Sequence, residues 1–528
     1  MTQQKEYPIG VQTFEKIITG NYFYIDKTEF IHRLVKGGVY YFLSRPRRFG
    51  KSLFLSTLEA FFQGKRELFK GLSIDRHDDL EWLEYPVLHL DLNAKTYAEE
   101  DSSLFKALDD NLKRWEAEYG IVPDVEDVDI RFGHVVRGIF EKTGRQVVIL
   151  IDEYDRPLLQ NLDNERRQDL FRNTLKGFFG VLKTYDSCIK FAFLTGITKF
   201  GKVSVFSDLN NLNDITLDTE FNDICGISES ELLSNFRSGI EELAKSNEIT
   251  FEEACARLRR SYDGYRFGRR SKEGIYNPFS VLNVLWKREF SDYWFQTGTP
   301  TMLIKLMKKQ HVRIDTLAAP HRTDSQLLSI DPTMRDPVPV LFQSGYLTIK
   351  DSKERGEQTR FTLGFPNKEV ERGFLDCLLP YYVNRDVRGD ELDIFRFIDA
   401  LEEKDVEEFI KILKSLLAGV PYDESGHDKV HENRFRDVMF IICRLMGLNV
   451  FCECHINDGR IDMVVKTDLY IYVMEFKVDK PASEALEQIH EKGYANPFMA
   501  DSREKILVGI SFSGKKRNIT DFRIEEIA

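Results

Sequence analysis

The 528-residue sequence predicts an α/β protein: a mainly parallel sheet with helices on both faces, then a helical lid, a mostly helical linker and a smaller C-terminal α/β domain. Three stretches carry this expectation. In the first, the apolar run Val39–Leu43 has the composition of a buried strand, and Leu53–Phe62 returns to an apolar pattern near helical period, with Gly50-Lys51-Ser52 between them. The second is the unbroken apolar run Gln146–Ile151 ending in Asp152-Glu153, whose two-sided apolarity suits a strand covered on both faces. The third, His431–Tyr494, reads as a helix followed by a β-hairpin. Domain boundaries are expected at 1–215 for the sheet core, 216–300 for the lid, 301–425 for the linker and 426–528 for the last domain.

Strand, loop and helix in that order, with Gly-Lys-Ser at the helix start, is the context of a phosphate-binding loop. Backbone N–H groups at the helix start attract phosphate, Lys51 adds a full charge, and the Ser52 hydroxyl can hold magnesium. The usual formula asks for glycine five residues before Gly50, where this chain has Arg45, followed by Pro46, Arg47 and Arg48. Nucleoside triphosphate hydrolysis also needs an acid at the carboxyl end of a neighbouring strand to hold magnesium, and a carboxylate to orient the attacking water. Asp152 and Glu153 supply both. A further strand, Ile189–Leu194, ends in Thr195-Gly196, where Thr195 is a candidate γ-phosphate sensor, although an ordinary strand end with a turn glycine reads equally well. Arg156, Lys199 and Lys202 are candidates to neutralise transition-state charge, and the sequence does not choose among them.

Composition narrows the function classes. No apolar run approaches the ~18 residues of a membrane span, the start Met1–Gly10 lacks the pattern of a secretory signal, and seven scattered cysteines suit a reducing cytoplasm. Cys452-Glu453-Cys454-His455 lacks zinc-ligand spacing. A net charge of −12 argues against indiscriminate nucleic-acid binding, which depends on neutralising phosphates. From Gly426 to Ala528, however, 15 basic side chains nearly balance 17 acidic ones, which makes this segment the better place for a polyanion.

Along the rest of the chain, residues 7–36 crowd aromatics around Gly20 before a helical pattern from Thr28. Asp26 and Lys27 are polar candidates beside a bound base, while Asp26 also suits a helix start. Pro86–Leu92 reads as a strand and Ser102–Glu118 as an amphipathic helix. Ser228–Arg266 turns helical, and the aromatic-rich Tyr276–Trp294 continues it as a lid. Within 301–425, Val340–Ile349 and Arg360–Pro366 resemble a hairpin, and Leu392–Leu417 reads as helical.

The spans TFEKIITGNYFYIDKTEFI, RPRRFGKSLFLSTLEAFF, LIDEYDRPL, FLTGITKF and YDGYRF, in this order, resemble the bacterial AAA-ATPase-like family, whose phosphate loop usually takes the form Arg45-Pro46-Arg47-Arg48-Phe49. The resemblance covers roughly the first three hundred residues. It implies a P-loop NTPase sheet of the additional-strand type that binds ATP and magnesium. Arg47, Phe49, Gly50, Lys51, Ser52, Asp152 and Thr195 would then surround the nucleotide, Ser52 and Asp152 would serve magnesium, and Glu153 would be the catalytic carboxylate.

In the C-terminal stretch, the helix His431–Met446 carries Glu432 at the inner edge of its apolar face. Gly459–Val465, a turn near Thr467-Asp468 and Tyr470–Val478 then form the hairpin. With a two- or four-residue turn centred between Thr467 and Asp468, Lys466 faces Leu469 and Asp462 faces Val473. Asp462, Glu475 and Lys477 then share a face, the two acids on a diagonal of about 7–8 Å. Such a face suits a magnesium ion with a lysine to orient or polarise water; an exposed ion pair between Glu475 and Lys477 is the other reading.

Gly459-Arg460-Ile461-Asp462, Glu475-Phe476-Lys477 and the later Ala485-Leu486-Glu487-Gln488-Ile489 with Tyr494 resemble the PD-(D/E)XK nuclease superfamily, although Ile461 stands where its name has proline. This resemblance implies a restriction-endonuclease-like α/β domain with Asp462, Glu475 and Glu432 as metal ligands, Lys477 assisting the nucleophile and Gln488 as the polar residue of the following helix. It further implies magnesium or manganese as the metal and nucleic acid, DNA before RNA, as the partner. The expected protein is a cytoplasmic ATPase whose nucleotide state gates a metal-dependent nuclease, with homo-oligomerisation left open. A nucleotide-dependent scaffold whose last domain binds nucleic acid or a partner without cutting it is the competing expectation.

Overall fold

The computed structural model describes residues 5–527 apart from 163, 200–204, 207–208, 296–302, 305–306, 308–316, 318–319, 329, 331–335, 357, 383–393, 419–436, 443, 446–448, 457–458 and 517; for 381–382 and 449–460 it describes the backbone. Two compact units are present. The first comprises 1–297 and 319–370, and the second 298–318 and 371–528.

The first unit is built on β1 (Tyr40–Ser44), β2 (Val87–Asp91), β3 (Val147–Asp152), β4 (Ile189–Gly196) and the short β5 (Asn213–Asp214). Their order is β2-β3-β4-β1-β5, and every neighbouring pair is parallel. β4 therefore lies between the phosphate-loop strand and the strand carrying Asp152. All residues of β1 and β3 are buried, as their two-sided apolarity requires. Parallel strands need crossover helices, and Ser103–Tyr119, Val128–Thr143 and Glu165–Thr184 are among those in this unit.

Three helices of the first unit are α1 (Phe14–Thr19), α2 (Glu29–Gly37) and α3 (Lys51–Phe62). The lid consists of helices Glu229–Ser246, Phe251–Tyr262 and Pro278–Lys287 around a core that includes Phe236, Leu258, Tyr262 and Val284. The first two start with reciprocal capping boxes, Ser228 with Glu231 and Thr250 with Glu253.

One sequence reading changes here. Val340–Gln343, expected to begin a hairpin strand, belongs to the helix Val338–Gln343, because Pro339 in the first turn fixes a helical φ and Gly345 (φ 88°) ends the turn. The antiparallel pair follows as Thr348–Arg355 and Gln358–Gly364, joined by His321–Thr323 as a third strand. This segment packs in the first unit against the phosphate loop: a Cβ on Gly345 would lie 2.6 Å from Pro46 Cβ, and the Lys199 N–H donates to Gln343 Oε1 at 2.6 Å.

The second unit carries a mixed five-stranded sheet of Asn449–Ile456, Gly459–Lys466, Tyr470–Val478, Glu504–Ser513 and Asn518–Ile527, paired in chain order. Only Tyr470–Val478 and Glu504–Ser513 run parallel, and the helix Ala482–Glu491 makes the crossover between them. Gly509 permits that helix to approach closely, since a Cβ there would meet Ala482 O at 2.5 Å and Ala485 Cβ at 3.1 Å. We expect Gly509→Ala to lower stability by about 1–3 kcal/mol through overpacking, read as a shifted denaturation midpoint.

Candidate nucleotide site and candidate metal centre

At the carboxyl edge of the parallel sheet, β1 runs into the loop 45–50. Arg45, in place of the usual glycine, is only 1% exposed, and its guanidinium donates to the carbonyls of Ser44 and Thr216 at 2.9 Å and of Phe221 at 2.8 Å. It also lies over the Phe267 ring, 4.2 Å from the centroid. The residue that breaks the loop formula is thus a buried brace tying the loop to 216–221. Arg45→Ala would remove these donors, leaving the Phe221 carbonyl with the Ile224 N–H at 3.4 Å; at roughly 1–3 kcal/mol for each buried group left unsatisfied, a loss of about 3–5 kcal/mol is expected in chemical denaturation.

The loop turns through Arg48 (φ 67°) and Gly50 (φ 93°) into α3. Lys51 is buried, its Nζ donating to the carbonyls of Arg45 (3.0 Å) and Pro46 (3.2 Å) and lying 3.3 Å from Glu153 Oε1. The Ser52 hydroxyl donates to Asp152 Oδ2 at 2.5 Å. Asp152 is 3% exposed, and burial followed by the charge of Glu153 pushes its carboxyl up to about 6. Its Oδ1 has no hydrogen-bond partner among the described residues, and neither has the hydroxyl of the fully buried Thr195, next to β1 on β4. Buried acceptors and hydroxyls are normally satisfied, so these orphaned atoms, with Ser52 on Asp152 and Lys51 in the same loop, form a donor set that fits a magnesium-bound phosphate. Glu153 holds φ 53°, a left-handed backbone uncommon outside glycine, of the kind that strained functional positions show.

The remaining sequence candidates differ in placement. Gly50 lies in the loop, and Arg47 is exposed there, its carbonyl accepting from Trp294 Nε1 at 3.4 Å. Phe49 is buried with its ring against Tyr265 and Phe267, so it anchors the loop and also lines the adjoining cleft. Lys199 pairs with Asp214 at the edge strand, Arg156 sits at a helix start after β3, and Lys202 lies outside the described residues. Asp26 accepts from Thr28 and Ser73, bonds that outweigh burial and hold its carboxyl below the usual range; it organises the turn before α2. Lys27 lines the cleft and pairs with Glu231 of the lid at 2.6 Å. This cleft adjoins the phosphate loop and is walled by apolar side chains including Tyr24, Ile25, Phe54, Ile227 and Leu282.

Sequence reasoning missed Asp155. Fully buried, it accepts from the N–H groups of Ile197 and Thr198 and the Thr198 hydroxyl, pinning the chain just after Thr195. Burial and then Glu153 push its carboxyl up to about 6. An acid three residues beyond Asp152, outside the strand, was the available signal.

In the second unit the observed register corrects the predicted one. Lys466 faces Ile471 and Val464 faces Val473, because Thr467–Tyr470 forms a four-residue turn in which the Thr467 hydroxyl accepts from the N–H groups of Leu469 and Tyr470. The two-residue shift preserves side-chain parity. Instead of lying on a diagonal, Asp462 follows directly after the Met463–Met474 pair, next to Glu475, and its Oδ2 accepts from the Phe476 N–H at 3.0 Å.

Glu475 is 2% exposed. Burial, then the Asp462 charge, raise its carboxyl far above the usual range, with Lys477 acting in the opposite direction. Lys477 Nζ lies 3.2 Å from Glu475 Oε1 and donates to Gln488 Oε1 at 2.5 Å; Gln488 Nε2 donates to Glu475 Oε1 at 2.5 Å and to the Tyr494 hydroxyl at 3.1 Å. Glu475 Oε2 has no partner among the described residues. A buried acid with one orphaned oxygen beside a second acid fits a divalent cation. Glu432 lies outside the described residues.

A parallel sheet with an extra strand between the phosphate-loop and acidic strands, joined to a mixed sheet with an Asp–Glu–Lys face, defines a P-loop ATPase-like protein with a nuclease-like domain. The chain belongs to the AAA-ATPase-like family: the family model described as "Predicted AAA-ATPase" matches residues 8–206, and that of the PD-(D/E)XK nuclease superfamily matches 430–522. It is similar to a protein of Azotobacter chroococcum mcd 1 described as "Uncharacterized protein in vnfD 5'region", 34% identical over 534 residues and covering 99% of each chain. Among the described residues no helix is long and apolar enough to cross a membrane.

Proposed function

We propose that this protein binds and hydrolyses ATP and that its nucleotide state governs metal-dependent phosphodiester cleavage, of DNA before RNA, by its C-terminal domain. The observation that carries the cleavage reading is the buried Glu475, with one oxygen unpartnered and both Asp462 and Lys477 beside it. A surface that only bound nucleic acid would have no use for a costly buried acid with a second acid beside it.

In the ATPase unit, Lys51 and the N–H groups starting α3 bind phosphate, Ser52 and Asp152 hold magnesium, and Thr195 meets the γ-phosphate. Glu153 orients water, and the apolar cleft receives the base. In the nuclease unit, Asp462 and Glu475 hold magnesium or manganese, which supplies Lewis-acid activation of water and charge neutralisation when bound. Lys477 orients the attacking water, and Gln488 holds Lys477 and Glu475 in place.

The test incubates purified protein with single- and double-stranded DNA and RNA, with magnesium or manganese, with and without ATP, beside Lys51→Ala and Glu475→Ala. Metal-dependent cleavage that Glu475→Ala abolishes and that responds to ATP only in the wild type is expected. Cleavage surviving in Glu475→Ala would remove the site assignment. Cleavage indifferent to ATP and to Lys51→Ala would remove the coupling, and nucleic-acid binding without cleavage would favour the scaffold reading.

A further inference from the structure

We propose that Glu29, His32 and His77 bind a divalent transition metal of the zinc class, at a site separate from the two described above. The three side chains come from two segments of the first unit. Glu29 and His32 stand three residues apart on α2 and so share a helix face, while His77 follows the 3-10 turn Ser73–Arg76. One ligand atom from each lies within 4.8 Å of the other two, and all three residues are half-buried.

The ring geometry sets what ligation requires. The imidazoles of His32 and His77 are stacked, with centroids 3.7 Å apart and planes 11° from parallel. An imidazole ligates through a lone pair in its ring plane, so one of the two rings turns about its Cβ–Cγ bond when both hold a common ion, a turn that the broad χ2 range of histidine allows. Around a tetrahedral ion with bonds of about 2.0 Å, ligand atoms stand about 3.3 Å apart, so that turn together with convergence of the three groups closes the site.

Carboxylates complete the surroundings. Glu29 Oε2 is 2.8 Å from His77 Nε2, and Asp79 Oδ1 is 3.2 Å from His32 Nε2, within reach of a fourth position. Lys36 holds the other Asp79 oxygen at 2.8 Å, which orients that carboxylate. Two imidazoles with one or two carboxylates suit zinc and its neighbours better than magnesium, which favours an all-oxygen shell.

Metal here would fasten α2 to the 73–79 segment. Ser73 of that segment already donates to Asp26, whose neighbour Lys27 lines the apolar cleft. The site therefore stabilises one wall of the cleft, whatever ligand the cleft takes.

The test uses full-length protein carrying Glu475→Ala, which removes binding at the C-terminal acids, freed of metal by chelator in magnesium-free buffer. It is titrated with Zn²⁺ by calorimetry and with Co²⁺ by visible absorption, beside the same protein with His32→Ala, His77→Ala or both. One equivalent with the intense visible bands of four-coordinate cobalt is expected. Each single substitution should weaken it at least tenfold, and the double variant should lose one equivalent. Zinc should raise the melting temperature of the parent and not of the double variant. Should a histidine variant not fold, Glu29→Gln, at a partly exposed position, is expected to weaken binding in the same assays. Equal stoichiometry and affinity with and without both histidines would overturn the proposal, as would cobalt bound without four-coordinate bands.

Discussion

Replacing Lys51 with alanine is expected to reduce ATP turnover by about 10²–10³-fold or to below detection, because it removes a preorganised cation from where phosphate charge develops. Lys51 is 5% exposed, and its ammonium sits inside the loop on two carbonyls and lies 3.3 Å from Glu153 Oε1. Solvent cannot replace it there, so the loss is not screened as it would be at a surface. Two consequences separate its role from a general loss of fold. Nucleotide binding, followed with a fluorescent analogue, should weaken together with turnover. In Glu153→Gln, by contrast, turnover should fall while binding survives, since Glu153 is assigned to water rather than to phosphate. Hydrolysis by Lys51→Ala at the wild-type rate would remove the loop from the mechanism.

The features that were legible in the sequence share one property: their signal is local. Val39–Leu43 and Gln146–Ile151 announce buried strands by composition, and Gly50-Lys51-Ser52 and Asp152-Glu153 announce their chemistry by position at strand ends. What was not legible depends on partners far along the chain. Arg45 looked like a defect in the loop because its carbonyl partners at Thr216 and Phe221 lie over 170 residues away in sequence. β5 has two residues, too few for any periodicity, yet it completes the sheet beside β1. Val340–Gln343 has strand-like composition, but Pro339 and the packing of Gly345 on Pro46 make it the end of a helix. The hairpin register slipped by two because the Thr467 hydroxyl closes a four-residue turn centred one residue further along the chain. The acid face survived only because two is the side-chain period of a strand.

Glu475→Gln is expected to abolish cleavage while leaving the fold intact or strengthening it. The sign follows from the direction of the pKa shift. Burial and the neighbouring Asp462 raise the carboxyl above its unfolded value, so the folded state holds the proton more tightly. Stability from this group is fully present below the unfolded pKa near 4.5 and is lost as pH rises through the folded value. A neutral glutamine carries no such penalty, so the variant should melt at or above the wild-type temperature at pH 8, while losing roughly 10³-fold or more in cleavage with the ligand. The same proton competes with metal. Wild-type affinity for manganese should rise with pH through the raised pKa and then level off. Lys477 lowers that pKa by its charge and its hydrogen bond, so Lys477→Met should move the rise to higher pH. Calorimetric titration of manganese at stepped pH reads both limbs without depending on catalysis. Manganese affinity flat in pH, together with a Glu475→Gln protein that melts well below wild type at pH 8, would make Glu475 a structural acid and leave the Asp462 face without a metal.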